Sequence, residues 1–263
     1  MYVIEPICGL CNKLRVIFSY YKFVKNNNMK LTVIWLKSQE CPGYFLDYFE
    51  PIDDIIFEYN NDKNLKIDYR GYEIINEYIP DYKELKLLPF IYEKIQNKIN
   101  ILDNNYIAVH IRRTDHIILA KQNNCYTSDK QFFDFIKKHN GKNLYIATDN
   151  QETYNTFYNK YKNIVKFEYY STTNDLRQTT LEDSIIDMYM CVYSSNFMGS
   201  GYSSFSTTIK LIRNEPINEY TTELINKNKN KNNKNNNKNN KNNNNNKNNN
   251  NNKNKLLLLI KSK

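Results

Sequence analysis

The sequence predicts an α/β protein built on parallel, doubly wound sheets. Tyr106-Ile107-Ala108-Val109-His110-Ile111 is an apolar run that fills both faces instead of alternating, as a strand covered on both sides requires. From there to Arg213 strand-like and helix-like segments take turns, the order of a sheet wound by βα units. At the N-terminus, Tyr2 to Ile7 reads as a strand that runs through Gly9 into an apolar helix.

The elements follow in order. Val16, Ile17, Tyr20 and Val24 recur at the spacing of one helical face. Leu31 to Leu36 is a second strand, Pro42-Gly43 marks a loop, and Ile55 to Tyr59 is a third strand. Asn60 to Asp81 has no clear period; Tyr82 to Leu102 is helical in parts, divided by Pro80 and Pro89. After strand 106–111 comes an irregular segment. Phe132, Phe133, Phe135 and Ile136 then place a helix over Lys130 to His139, capped from Ser128 or Asp129 and ended at Gly141. Strand Asn143 to Ala147, a Tyr-rich helix over 151–161, strand Ile164 to Tyr169 and a polar loop at Ser171 to Thr180 come next. Helix 181–193 buries Ile185, Met188, Tyr189 and Val192. Strand Asn196 to Gly199 then leads to Gly201-Tyr202-Ser203-Ser204-Phe205-Ser206, which opens a last helix. The expected division is an N-terminal lobe over 1–100, a C-terminal lobe over 101–215 and a disordered low-complexity tail over 216–263.

Residues 226 to 255 are Asn and Lys only. Ordering such a run costs about 1 kcal/mol or more per residue with no apolar burial in return. The tail also explains the net charge of +9: eleven lysines follow Asn226, leaving 26 basic residues against 28 acidic ones elsewhere. The charge therefore excludes little about the partner of the folded part. A lysine-rich tail attracts polyanions weakly by counterion release, but it has no aromatic residue to stack on bases, so no specific nucleic acid is expected. Cys8, Cys11, Cys41, Cys125 and Cys191 are odd in number and scattered, which favours reduced thiols and a cytoplasmic setting. Cys8 and Cys11 form a CxxC that has no second pair to complete a zinc site. No signal peptide is legible at the N-terminus, and the apolar run Leu256–Ile260 is far shorter than the roughly 20 residues of a membrane span. The expectation is a soluble protein with no transmembrane segment.

The chemistry concentrates at strand ends. Arg112-Arg113-Thr114-Asp115 leaves strand 106–111 at the carboxyl edge, where open α/β sheets place ligands. Two guanidinium forks suit a phosphate, and Asp115 can hold one of them in place; a solvated strand end with a local Arg–Asp pair is the plainer alternative. Asp149 stands at the next strand end, and Ser203 to Ser206 front a helix whose N–H and O–H groups favour an anion, although Ser203 also suits ordinary capping. Gly9 lets the backbone approach a ligand closely at the first βα turn.

The segments 107-IAVHIRRTD-115, 144-LYIATDN-150, 183-DSIIDMYMCVYSSNF-197 and 201-GYSSFS-206 resemble the three peptide regions that characterise the fucosyltransferase superfamily. That group holds α-1,6-fucosyltransferases, their bacterial Nod-factor relatives and protein O-fucosyltransferases. GLCNKLR, from Gly9 to Arg15, is similar to the GGxxNxxR-type turn that opens the family's first lobe. The resemblance implies a two-lobed GT-B fold and an inverting, metal-independent transfer of fucose from GDP-fucose to a glycan or glycoprotein acceptor, with no cofactor. By the same resemblance Arg112 binds the β-phosphate and stabilises the leaving group, with Arg113 and Asp115 in support. His110 and Asp187 match positions on the guanine side, and Ser203, Ser204 and Phe205 match the phosphate turn. Asp149 either contacts the donor or caps the helix after its strand. Gly9, Asn12 and Arg15 face the sugar or diphosphate from the first lobe.

The chain departs from this pattern in one respect. In the α-1,6 relatives the peptide after HxRRTD carries a Lys and then a Glu that can serve as base, whereas residues 116 to 128 here contain no acidic residue. His116 and Asp129 are the nearby candidates for the base that an inverting transfer needs. The competing expectation is a catalytically silent GDP-sugar- or glycan-binding protein of the same fold.

Overall fold

The structure, a computed structural model, describes residues 1–115, 117–168 and 179–215. His116, most of the polar loop expected at 171–180 and the Asn/Lys tail lie outside the described residues.

The N-terminal half is a four-stranded parallel sheet. Strand β1 (Tyr2–Pro6) is followed by helix α1 (Leu10–Asn26), then by β2 (Leu31–Ile34), β3 (Ile55–Glu58) and β4 (Tyr69–Gly71), in the spatial order β3-β2-β1-β4. A short 3-10 turn, Phe45–Asp47, lies between β2 and β3. The periodic residues of α1 are buried as their spacing requires: Val16, Ile17 and Val24 are inaccessible and Tyr20 nearly so. Burying one such side chain fully contributes about 1.5–3 kcal/mol. Strand β4 falls within the stretch that showed no period. Its three residues bury little, and it is held by register, with Ile4 to Pro6 facing Tyr69 to Gly71, and by an ion pair of 2.7 Å from Arg70 to Glu5. Hydrophobic pattern cannot report a strand held in that way.

Helix α2 (Pro89–Ile101) crosses to the second half. Tyr82 to Leu88 is not helical, and Pro89 starts the helix at its first position, where a missing N–H costs nothing. Next come β5 (Tyr106–Ile111), α3 (Ile117–Gln122), α4 (Asp129–Lys138), β6 (Asn143–Thr148), α5 (Gln151–Tyr161), α6 (Leu181–Tyr193), β7 (Asn196–Gly199) and α7 (Ser204–Ile212). The three strands form a parallel sheet in the order β6-β5-β7. Two expectations need correction here. The segment after β5 holds the six-residue helix α3, too short for a periodic signal. At 164–169 only Val165 pairs, through an isolated bridge to Leu144, so no strand forms among the described residues there.

All six residues of β5 are buried, and the strand sorts its two faces strictly. Ile107, Val109 and Ile111 join the cluster under α4 and α5, whereas Tyr106 and Ala108 join the larger cluster under α1, α2, α6 and α7. His110 shares the parity of the second set and so faces α7. Among the described residues no helix is long and apolar enough to cross a membrane.

Candidate functional site

Because β5, β6 and β7 are parallel, their carboxyl ends deliver Arg112, Asp149 and Ser200 to one edge. A cleft of roughly 810 Å3, counting space open to solvent, lies along that edge. The second half contributes His110, Arg112, Asp149, Asp187, Ser203, Ser204 and Phe205 to its walls, and the first half contributes Gly9, Asn12 and Glu40. Two helices begin on it: α1 just after Gly9 and α7 just after Ser203. Such helix starts present unsatisfied N–H groups and the positive end of the helix dipole.

Arg112 is the only lysine or arginine among the described lining residues. Its main-chain N–H donates to Ser200 Oγ at 2.9 Å, which ties the end of β5 to the turn after β7. One arm of the guanidinium donates to Asp115 Oδ1 at 2.5 Å, and that partner keeps the fork in one orientation. The Nε–H is buried and has no partner. A buried, unpaired donor on a cation costs on the order of 1–3 kcal/mol or more, so this atom marks a place where an acceptor belongs.

Arg113 points elsewhere. It donates to Asp129 Oδ1 at 2.6 Å and to the Thr127 carbonyl at 2.9 Å, and it lies over the rings of Tyr126 and Phe132. It does not line the cleft and instead pins the segment before α4. Asp149 supports the same turn: its carboxylate accepts from the N–H of Arg113 at 2.9 Å, the N–H of Thr114 at 3.1 Å and the Thr114 hydroxyl at 2.5 Å. The expected alternative for Asp149, capping α5, falls to Asn150, whose side chain accepts from Thr153 N–H at 2.8 Å. Asp115 reaches the site only through Arg112. Arg15 donates to the Tyr72 carbonyl at 3.0 Å and packs on that ring, away from the lining residues.

His110 is buried, its Nδ1 2.7 Å from Ser206 Oγ, with its ring packed on Phe205 at a centroid distance of 4.5 Å. Burial pushes its pKa down to about 3, aided by Arg112 and Arg113 and opposed by Asp149, so the ring is neutral at physiological pH. Asp187 goes the other way. Burial lifts its carboxyl to about 7, against the hydroxyl of Tyr145, which donates to Oδ1 at 2.6 Å, and the charge of Lys98. Asp187 also borders a second cavity lined by Lys98, Tyr145, Tyr154 and Phe167.

The glycines explain how closely these parts sit. A Cβ at Gly199 would run into the Ser206 side chain, and one at Gly201 into the carbonyl of Cys125. Sequence reasoning missed Ser200, Ser206 and Glu40. Ser200 and Ser206 belong to the serine-rich turn and could have been found there; Glu40 stands in a loop without any pattern. Among the described residues, no group of three or more His, Cys, Asp or Glu side chains is gathered as for a metal ion.

Two parallel α/β halves with a cleft at the sheet edge, an arginine leaving the central strand and a helix start facing it define the fucosyltransferase-like GT-B fold. Solved structures of that kind match over most of their length. NodZ α-1,6-fucosyltransferase co-crystallised with GDP superposes with a TM-score of 0.56 at 13% identity, covering 80% of this chain and 92% of that one. The fucosyltransferase NodZ from Bradyrhizobium gives 0.59 at 14% identity over 80% and 92%. POFUT1 in complex with GDP gives 0.55 at 12% identity over 82% and 95%. No family model and no curated protein matches the sequence.

Proposed function

We propose that this protein is a glycosyltransferase that moves fucose from GDP-fucose to a hydroxyl of a glycan or protein acceptor, with inversion and without a metal ion. One observation carries the reading: the buried, unpartnered Nε–H of Arg112 stands in a cleft onto which the N-termini of α1 and α7 both open. Such a site suits a diphosphate. The helix starts and the Ser203 and Ser204 hydroxyls supply donors without adding charge, and Arg112 supplies the cation.

In this reading the C1–O bond to the β-phosphate breaks as the acceptor oxygen attacks, and negative charge gathers on the departing GDP. Arg112 is held by Asp115 and by the Arg112 N–H bond to Ser200, so little reorganisation is needed as that charge develops. Asp149 acts at one remove by fixing the Arg113–Thr114 turn. Neutral His110 and protonatable Asp187 offer hydrogen bonds to the uncharged base of the nucleotide. NodZ and POFUT1, whose folds this chain shares, have been crystallised with GDP or GDP-fucose, which supports the choice of donor.

Millimolar GDP is expected to raise the melting temperature through linkage, and Arg112→Ala to abolish that rise. Turnover of GDP-fucose by Arg112→Ala should fall by about 100- to 1,000-fold. A chain whose melting temperature ignores GDP removes the proposal. GDP binding without any turnover of GDP-fucose would leave a silent donor-binding protein.

A further inference from the structure

We infer that Glu40 is the general base of the reaction, taking the proton from the acceptor hydroxyl. The inference rests on the donor reading above and adds the group which that reading lacks.

The cleft has three acidic side chains among its described lining residues: Glu40, Asp149 and Asp187. Asp149 already accepts three hydrogen bonds from the Arg113–Thr114 turn, and losing that charge would release the end of β5. Asp187 is buried behind the hydroxyl of Tyr145, on the wall shared with the second cavity. His110 is enclosed, with Nδ1 engaged by Ser206 and its ring covered by Phe205. Its pKa of about 3 also makes it a weak base near neutral pH. Asp129, a candidate by sequence, holds Arg113 at 2.6 Å and does not line the cleft.

Glu40 differs from all of these. It is solvent-exposed, sits in the turn after β2 and lines the cleft from the same side as Gly9 and Asn12. Arg112 and the start of α7 come from the other half. A carboxylate on the first-half wall therefore stands across the cleft from the group that receives the leaving phosphate. Inverting displacement requires this arrangement, with base and leaving group on opposite sides of the reacting carbon. The step balances as follows. The acceptor oxygen bonds to C1 of fucose and its proton passes to the Glu40 carboxylate. The C1–O bond to the β-phosphate breaks, and its electron pair leaves with GDP against Arg112.

Hydrolysis of GDP-fucose tests this without knowledge of the acceptor, because water must lose a proton in the same way. Glu40→Gln in the full chain should keep the melting-temperature rise with GDP and lose GDP release by about 100-fold or more. Sodium azide, a nucleophile with no proton to give up, should restore turnover in Glu40→Gln as fucosyl azide. Glu40→Asp should retain part of the hydrolysis. Unchanged hydrolysis in Glu40→Gln overturns the assignment. So does a loss that azide does not restore, since Glu40 would then act by holding structure or donor. A parent chain that binds GDP but turns over with neither water nor azide overturns both this assignment and transfer. A parent chain with no GDP response overturns the donor reading itself.

Discussion

His110 and Asp187, two buried titratable groups in one cleft, pull stability in opposite directions as pH changes. The carboxyl of Asp187 is lifted from 3.8 to about 7 by burial. The stability it contributes is fully present below pH 3.8 and is lost as pH rises through about 7, because the folded chain holds a proton that the unfolded chain has released. His110 is depressed from 6.5 to about 3. Its contribution is present above pH 6.5 and is lost as pH falls towards 3. Between roughly pH 4 and 6.5 the two slopes, each up to about 1.4 kcal/mol per pH unit, offset one another. Asp187→Asn keeps an acceptor for the Tyr145 hydroxyl but removes the titration. Its stability relative to the parent chain, measured by urea unfolding, should climb by up to about that slope between pH 4 and 7 and level off outside that window. A difference that stays flat with pH would mean that Asp187 ionises as it does in the unfolded chain.

Among the elements, the βα turn at the front of α1 carries the clearest local cost. Cys8 sits at φ 69, in the left-handed region, immediately before Gly9. A residue with a Cβ pays about 1–2 kcal/mol there, and glycine avoids most of that. The family turn resembled by GLCNKLR has glycine at the corresponding position. Cys8→Gly should therefore raise stability by about 1 kcal/mol, a gain of roughly 2–4 °C in melting temperature for a chain of this size, with the GDP response kept. A lower melting temperature in that variant would show that the Cys8 side chain contributes more than its backbone strain costs. The turn between β7 and α7 obeys a similar constraint: Gly199 and Gly201 leave room for Ser206 and for the Cys125 carbonyl, and Tyr202 follows at φ 59.

For the whole molecule, charge and function separate along the chain. Removing residues 226–263 takes away eleven lysines and moves the formal net charge from +9 to about −2. Retention on a heparin or nucleic-acid column should disappear with the tail, while the melting temperature and its response to GDP stay as they were. A truncated chain that melts lower or ignores GDP would assign the tail a part in the fold.

Legibility followed burial. Strand β5, helices α1, α4, α5 and α6 and the α7 start stood out because their apolar residues recur at the period of the element. Strand β4 and helix α3 did not, since pairing and neighbours hold them more than their own side chains do. In the site, the Arg112–Asp115 stretch, Asp149 and the serine turn were visible as polar residues placed at apolar strand ends. The sequence by itself determined the parallel α/β class and the strand edge at which polar groups gather, because periodicity and strand ends are local properties of a chain. Only the tertiary structure decided that Arg112 faces the cleft while Arg113 turns to Asp129, that Arg15 turns to Tyr72, and that Glu40 joins the far wall. Adjacent residues leave a strand in opposite directions, and residues far apart in sequence meet only when the chain folds.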